Sequence, residues 1–491
     1  MAEAETNKQE EILKYVYAKI AQAPVFVKER INFNDKPLPS RRTSLRLQEY
    51  AKDFIDEKKG ANENRIIILP GLRGVGKTTM LLQLYDFLVK KENIKEERVL
   101  YFSTDELKGF LGAAISDAIN VYIESIIKTT PVYLKDKIFI LIDEAHFDTN
   151  WSSVAKILYD QSKNIFLVIT GSSALNIEIS PDLARRSVKE KVFPLSFSEY
   201  LLIKHGIEIK EDISRFIRSV ILSFSEQDIR KAEEEEFQII KQSSKIGKSI
   251  NQEFLSFISL SDLPFSLELD EKVVYDRVLS MIDRIIEKDI FSIQSFKSES
   301  EETIKRIIYF LASQSPGGTS DSKLAKHLET SSKQIRNILD ILEKTHLIFS
   351  IKPYGGAGKV IRKPWKYYFL SPSISTAIRF KLGTYNKNNR EMLGALAENM
   401  VASCLTRIKE TTNLPLGIFY DPGEKGVDFL VKDSKDNIIP IEVGYGKKDT
   451  GQVRKAIKKY NSKHGMIVCD CPKIKKEENI IFIPIATFSF I

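Results

Sequence analysis

Unbroken runs of apolar residues alternate with amphipathic segments over the first part of the chain. Runs at 65–70, 98–102, 138–142 and 165–170 show no alternation of apolar and polar positions, which is typical of strands buried on both faces of a parallel sheet. The segments between them repeat apolar residues at helical spacing. We therefore predict an α/β domain over residues 1–205, in which helices cover both faces of a parallel sheet.

The remaining residues follow a different pattern, first wholly helical and then mixed. Residues 206–300 repeat apolar positions at helical spacing, which predicts a helical lid or connector. Residues 301–385 predict three helices and then two strands around a glycine-rich segment, the order of a winged helix-turn-helix. Residues 386–491 return to mixed helices and strands. The pattern thus predicts four domains, the last a smaller α/β or α+β unit.

Composition excludes several classes of protein. With 491 residues, 43% of them hydrophobic and 29% charged, the chain is rich enough in core-forming residues to exclude wholesale disorder or a fibrous repeat. Its apolar runs are far shorter than the ~20 residues that span a bilayer, and residues 1–8 are polar where a secretory signal is apolar. Three cysteines and five scattered histidines disfavour disulfides and zinc. We expect a cytoplasmic protein without membrane contact.

The net charge of +8 is concentrated near the C-terminus. Residues 444–478 carry ten Lys or Arg and four Asp or Glu side chains. Such a segment either attracts a polyanion or forms a solvated basic face. Both interpretations stay open at this point.

The segment after the first apolar run fits a phosphate-binding loop. Residues 71–78 read Gly-Leu-Arg-Gly-Val-Gly-Lys-Thr, the pattern G-x-x-x-x-G-K-S/T between a strand and a helix. The glycines let the loop N–H groups converge on a phosphate, and the following helix adds its positive end. Lys77 is expected to neutralise β- and γ-phosphate oxygens, and Thr78 to bind Mg²⁺. We predict ATP and Mg²⁺ as cofactors, with ATP bound by Gly71, Gly74, Val75, Gly76, Lys77, Thr78 and Thr79.

Two further motifs extend this site. The run 138–142 leads directly into Asp143 and Glu144, an arrangement that brings an Asp to Mg²⁺ and a catalytic Glu to the attacking water. A solvated turn is the less favoured interpretation. The next run ends in Thr-Gly-Ser-Ser, which places Ser172 beside the γ-phosphate together with Ser173. An Arg at 185 or 186 is expected to stabilise charge in the transition state.

Together these residues resemble the archaeal-type AAA+ ATPases. The resemblance rests on 71–79, on 141–144 with Trp151 following, on 169–173 and on 194–200, which reads Pro-Leu-Ser-Phe-Ser-Glu-Tyr. It covers most of the chain. It implies a P-loop ATPase domain joined through a helical lid and a winged helix to a C-terminal domain of restriction-endonuclease-like fold.

The resemblance also assigns roles to single residues. The family spacing ahead of Pro194 favours Arg186 over Arg185 as the γ-phosphate sensor or as a finger that reaches a neighbouring subunit, which implies a homo-oligomer. His146 completes an Asp-Glu-Ala-His helicase box. Because other helicase motifs are missing, we expect His146 to be incidental.

The C-terminal domain carries acids that resemble a nuclease signature. Glu398 on a predicted helix, with Asp428 and Glu442 on predicted strands, would converge on Mg²⁺. The lysine expected two residues after Glu442 is Gly444, so the amine would have to come from a neighbouring element. The candidates are Lys447, Lys448 and Lys455. An active nuclease and a degenerate nuclease fold kept for binding both remain open.

The predicted winged helix carries polar residues suited to nucleic acid, although such modules also act as spacers. They are Lys333, Gln334, Arg336 and Asn337 on the second helix of the motif, and Lys359, Arg362 and Lys363 on the wing. The leading hypothesis is a Mg²⁺-dependent ATPase coupled to a DNA- or RNA-binding or nuclease-like module. The alternatives are a regulatory NTPase switch that binds a protein partner, and an active metal-dependent DNA nuclease.

Overall fold

The computed structural model describes residues 2–33, 36–172, 180–290, 299–314, 318–356, 358, 360, 363–412, 414–446 and 448–491. The chain divides into two compact units, Met1–Val192 and Phe193–Ile491, which we call the first and second units. In the described ranges, no helix is both long enough and apolar enough to cross a membrane.

The first unit is built on a parallel sheet, as the apolar runs predict. Its helices are α1 (Ala2–Ile31), α2 (Arg42–Ile55), α3 (Lys77–Lys90), α4 (Thr104–Leu111), α5 (Ile115–Val121), α6 (Trp151–Gln161) and α7 (Pro181–Ala184). Its strands are β1 (Asn32–Phe33), β2 (Lys36–Pro37), β3 (Ile66–Pro70), β4 (Val99–Ser103), β5 (Ile138–Asp143), β6 (Ile165–Gly171) and β7 (Val188–Lys189). The five-stranded sheet has the order β4-β5-β6-β3-β7, and every adjacent pair is parallel.

Burial explains the parallel arrangement. Every residue of β3, β5 and β6 is buried, because helices cover both faces of a parallel sheet. The carboxyl ends of these strands therefore meet at one edge of the sheet, which is where ligands bind in open α/β folds.

The second unit begins earlier than the predicted domain boundary at residue 205. The reason lies in the segment 194–200. Ser196 caps helix α8 (Phe197–His205) by accepting from the Glu199 N–H, and Glu199 accepts from the Ser196 N–H in return. Phe197 and Tyr200 are fully buried in the core of the second unit. The hydrophobic side chains of this motif thus belong to the second core.

The other elements of the second unit are as follows. The helices are α9 (Glu211–Ser223), α10 (Glu226–Ser243), α11 (Ile250–Ser256), α12 (Glu271–Arg284), α13 (Glu299–Ser313), α14 (Asp321–His327), α15 (Ser332–Lys344), α16 (Pro372–Lys381), α17 (Arg390–Thr411), α18 (Gly451–Tyr460) and α19 (Ile485–Phe488). The strands are β8 (Gly318–Thr319), β9 (Ile348–Pro353), β10 (Trp365–Phe369), β11 (Gly417–Tyr420), β12 (Phe429–Lys432), β13 (Ile438–Gly444), β14 (Gly465–Cys469), β15 (Lys475–Glu477) and β16 (Ile480–Pro484).

One sheet runs through both of the predicted C-terminal domains. Its order is β15-β16-β14-β13-β12-β11-β9-β10-β8. Strand β9 pairs with β10 on one side and runs parallel to β11 on the other, with Phe419 opposite Lys352. The described structure therefore joins residues 301–385 and 386–491 by backbone hydrogen bonds, where the sequence pattern predicts two separate domains.

Candidate functional site

The phosphate-loop residues connect β3 to α3 through a tightly curled segment. Gly74 and Gly76 have φ angles of 78° and 91°, in the region that side chains rarely adopt. At Gly71 a Cβ would lie 2.6 Å from the carbonyl oxygen of Val192. The three glycines thus permit a turn and a close backbone approach directly before the N-terminus of α3.

Lys77 lies inside the curve of its own loop. Its side chain is buried, and its Nζ donates to the carbonyl oxygens of Gly71 at 3.0 Å and Leu72 at 3.1 Å. The loop is held from the other side by Arg41, whose Nη1 donates to the Val75 carbonyl oxygen at 2.6 Å. Arg41 is also buried. Sequence reasoning missed this arginine, which stands at the start of a helix with no motif to mark it.

Thr78 and Asp143 meet at the carboxyl edge of the sheet. Thr78 Oγ1 donates to Asp143 Oδ2 at 2.6 Å, and Thr170 Oγ1 donates to Asp143 Oδ1. Burial raises the pKa of Asp143, as does the neighbouring charge of Glu144, while the two threonine hydroxyls and Lys77 act in the opposite direction. A hydroxyl and a carboxylate are oxygen ligands of the kind that Mg²⁺ prefers. The donors at this point therefore fit the predicted ion.

Glu144 follows β5 in a left-handed conformation with a φ of 53°. Its N–H donates to Asp143 Oδ1 and to Thr170 Oγ1, both at 3.2 Å. Its Oε2 lies 3.3 Å from Nδ1 of His146. The backbone at Glu144 is thus anchored to the Asp143 cluster, while its carboxylate lies against an imidazole.

His146 is packed between Glu144 and the end of β6. The side chain is buried, and its Nδ1 contacts Glu144 and also accepts from the Ser172 N–H at 3.3 Å. That His146 is incidental stays a prediction, although its ring lies between two candidate site residues. The signal in the sequence is its position two residues after Glu144. Ser172 reaches the cluster through its main chain, and Ser173 lies outside the described residues.

The side chain of Arg186 contacts residues of α6 and α7. Its Nε donates to Asp160 Oδ1 at 3.0 Å, and its Nη1 donates to the Asp182 carbonyl oxygen at 2.9 Å. Its guanidinium lies 5.8 Å from the ring centre of Tyr159. Arg185 pairs with the Asp182 carboxylate at 2.6 Å. A sensor or finger role for Arg186 stays a prediction, and it would require these bonds to be exchanged.

The three predicted acids of the second unit are linked through lysines. Lys366 on β10 places its Nζ 3.1 Å from Glu398 Oε1 and 3.9 Å from Asp428 Oδ1. Tyr368 also donates to Glu398 Oε1 at 2.7 Å. Burial and the charge of Asp428 raise the pKa of Glu398 to about 7. Burial alone would lower the pKa of Lys366, but Glu398 and Asp428 raise it.

Lys448 takes the place that a side chain at position 444 would occupy. Its Nζ lies 2.8 Å from Glu442 Oε1, and a Cβ on Gly444 would stand 1.9 Å from Lys448 Cε. Of the two predicted substitutes that lie within the described residues, Lys448 is the one that contacts an acid, Glu442. Lys455 is exposed on α18, and Lys447 lies outside the described residues.

The predicted metal site in the second unit stays a prediction. Within the described ranges, no three His, Cys, Asp or Glu side chains are grouped so as to hold a metal ion. Lysines pair with Glu398 and Glu442 instead, while Asp428 accepts from the Val443 N–H at 2.8 Å. Lys366 was missed because no sequence motif marks it.

The helix-turn-helix residues divide into two groups. Arg336 pairs with Asp321 at 2.7 Å, donates to Tyr367 at 3.0 Å and lies 4.5 Å from the ring centre of Trp365. These contacts hold Arg336 to the fold, and its role in binding nucleic acid stays a prediction. Lys333, Asn337 and Lys363 are exposed and Gln334 is partly exposed, whereas Lys359 and Arg362 lie outside the described residues.

Comparison with known proteins finds family models and relatives that match this chain. The family model of an AAA domain matches residues 63–201. Models of two domains of unknown function match 265–385 (DUF8612) and 393–488 (DUF4143). The uncharacterized protein MJ1637 of Methanocaldococcus jannaschii is 35% identical over 433 residues, 88% of this chain and 86% of that protein. This chain belongs to the MJ1637 family.

Three further similar proteins have lower sequence identity. An uncharacterized protein of Haemophilus influenzae is 25% identical over 77% of this chain and 82% of its own length. Among solved structures, the Walker-type ATPase paby2304 of Pyrococcus abyssi is 14% identical and covers 70% of this chain and 97% of its own, with a TM-score of 0.38. AMPPCP-bound DnaA from Aquifex aeolicus is 14% identical and covers 65% and 93%, with a TM-score of 0.26.

The AAA match coincides with the phosphate loop and its parallel sheet. The prediction of an AAA-type P-loop domain is confirmed. The winged-helix and nuclease-like assignments of the MJ1637-family chain stay predictions, as do the four domain boundaries.

Proposed function

We propose that the protein is a Mg²⁺-dependent ATPase that couples ATP binding and hydrolysis to a nucleic-acid-binding or nuclease-like second unit. The observation that carries the proposal is the convergence of Lys77, Thr78 and Asp143 at one edge of a buried parallel sheet. Membership of the AAA domain supports nucleotide binding.

Each residue has a definite task in this proposal. Lys77 exchanges the carbonyl oxygens of Gly71 and Leu72 for phosphate oxygens, which carry more negative charge. Thr78 and Asp143 hold Mg²⁺, which when bound neutralises charge on the β- and γ-phosphates. Glu144 orients the attacking water and accepts its proton. Its fixed backbone leaves only the carboxylate to adjust.

Measurement of ATP turnover in matched variants tests the proposed ATPase site. Lys77→Ala should lose both nucleotide binding and turnover. Glu144→Gln should bind ATP and lose turnover by about 10²-fold or more, since a general base contributes that much. Lys91→Ala serves as the control, because this lysine is exposed just after the end of α3. Equal turnover in all four proteins, wild type included, would remove the proposal.

The client of the ATPase is tested separately. The basic segment 444–478 and the exposed Lys333 and Lys363 favour a polyanion. We expect duplex or single-stranded nucleic acid to bind in fluorescence anisotropy at ~50 mM salt and to weaken steeply as salt rises. No binding at that salt concentration would favour the alternative, a regulatory switch with a protein partner.

A homo-oligomer that uses Arg186 as a finger is a further part of the proposal, tested by sedimentation with and without ATP.

Metal-dependent cleavage of DNA is a second candidate, favoured by the position of Lys448 over Gly444. Glu442 Oε2 is buried and has no hydrogen-bond partner among the described residues, so one carboxylate oxygen is left for a ligand. A bound divalent cation would stabilise charge on the scissile phosphate. Plasmid cleavage with Mg²⁺ or Mn²⁺ should vanish in Asp428→Ala and Lys448→Ala and persist in the exposed control Lys455→Ala. No cleavage of plasmid, single strand or RNA in either metal would exclude it.

A further inference from the structure

We propose that His146 is a positioning residue that couples the end of strand β6 to the carboxylate of Glu144. The inference deepens the proposed ATPase function and rests on it. It starts from a geometric fact: one ring nitrogen, Nδ1, is the contact point for Glu144 Oε2 and for the Ser172 N–H, each at 3.3 Å.

A single imidazole nitrogen serves only one of these contacts as a hydrogen bond. In the structure Nδ1 accepts from the Ser172 N–H, while Glu144 Oε2, 3.3 Å away, has no hydrogen-bond partner among the described residues. A proton on Nδ1 would leave no lone pair for the Ser172 N–H, and the Glu144 carboxylate would turn to accept that proton. When Nδ1 is bare it accepts from Ser172 and offers Glu144 nothing. The two bonds are therefore alternatives, and the position of one proton on the ring decides between them.

The surroundings limit what else moves. His146 is 6% exposed, and its ring centre lies 4.5 Å from that of Phe147. The Glu144 N–H is bonded to Asp143 and Thr170, so the peptide before Glu144 is fixed while its carboxylate turns. A change at Nδ1 is thus expressed as a change in the direction of that carboxylate.

Strand β6 connects the imidazole to the candidate metal ligand. Thr170 donates to Asp143, and Ser172, two residues further on, donates to His146. A displacement of this strand end on filling of the nucleotide site would alter both bonds together. His146 then releases or holds Glu144 according to the position of Ser172. In this way the His146 imidazole couples occupancy of the nucleotide site to the carboxylate of Glu144, which orients the water.

The kinetic test uses His146→Ala, His146→Asn and the double variant with Glu144→Gln. His146→Ala should lower kcat about tenfold and leave the ATP dissociation constant within about twofold, since His146 acts on the water-orienting group alone. Asparagine retains a donor and an acceptor near the place of Nδ1 and should restore much of kcat. In the Glu144→Gln background, His146→Ala should have no further effect, because it acts through Glu144.

Additive losses in the double variant, or a large loss of ATP affinity in His146→Ala, would overturn the proposal in favour of a merely structural role. A spectroscopic readout separates its failure from that of the ATPase. The ring ¹⁵N shifts of His146, assigned with His146→Asn, should show Nδ1 changing protonation when a non-hydrolysable ATP analogue binds to the wild-type chain. Analogue binding with unchanged ring shifts would overturn the inference even if ATP is hydrolysed. Turnover absent with the shift change present would instead overturn the ATPase.

Discussion

The carboxyl group of Glu398 should make the stability of the second unit depend on pH. Burial and the charge of Asp428 raise its pKa from the ordinary 4.5 to about 7. An acid with a raised pKa binds more protons in the native state, so its stabilising effect is full below about pH 4.5 and is lost as pH rises through about pH 7. At about 1.4 kcal/mol for each pH unit between these values, the loss is about 3 kcal/mol.

Glu398→Gln isolates this contribution. Glutamine keeps an oxygen that accepts from Tyr368 and Lys366, and it has no proton to lose. Urea unfolding is followed by the fluorescence of Trp365, with Trp151→Phe in both proteins so that the signal reports on the second unit, and with EDTA present. The free energy of unfolding of the parent should fall relative to that of the glutamine variant by about 3 kcal/mol from about pH 4.5 to about pH 8. Parallel pH curves for the two proteins would refute the reasoning.

Three further predictions concern packing at Gly444, the hydrogen bond of Thr170 and the binding of nucleic acid. Gly444→Ala should lower the free energy of unfolding in urea by about 1–3 kcal/mol, because the added Cβ meets the side chain of Lys448. The control Gly394→Ala lies in a helix with open space around it and should raise the free energy of unfolding by about 1 kcal/mol. Equal effects of the two substitutions would contradict the close contact at Gly444. Thr170→Val should raise the Mg²⁺ concentration for half-maximal turnover about tenfold, since it removes a hydrogen bond to a metal ligand, and an unchanged requirement would count against it. Lys333→Ala should weaken nucleic-acid binding and reduce the slope of log affinity against log salt concentration by about 1. Arg336→Ala should instead lower the thermal stability of the protein. Loss of stability in Lys333→Ala with loss of binding alone in Arg336→Ala would contradict both expectations.

The part of the fold that depends on local pattern was predictable. The run 138–142 became a fully buried strand, and the loop 71–78 lies between a strand and a helix as its motif requires. Local breaks were harder to see. The segment between β4 and β5 has apolar residues at helical spacing, yet Gly112 ends α4 there in a left-handed conformation with a φ of 55°. The spacing does not mark this break, because isolated glycines are also tolerated inside helices.

Long-range pairing was not predictable from these patterns. Strands β9 and β11 are far apart in sequence, and a strand's pattern does not name its neighbour in a sheet. The same holds for the sites. Thr78 and Asp143 belong to motifs with known spacing, whereas the contacts of His146, Arg41 and Lys366 arise only in the folded chain. The sequence shows that Gly444 stands where a lysine is expected, but only the folded structure shows that Lys448 fills the space beside this glycine.

Nucleotide-dependent binding of Mn²⁺, followed by electron paramagnetic resonance, tests the central claim most directly. The ion replaces Mg²⁺ between Thr78 and Asp143 only if these two side chains face bound ATP. The account predicts that ATP increases the bound Mn²⁺ signal in the wild-type chain and that Thr78→Val and Asp143→Asn each abolish this increase. An undiminished increase in both variants would contradict it.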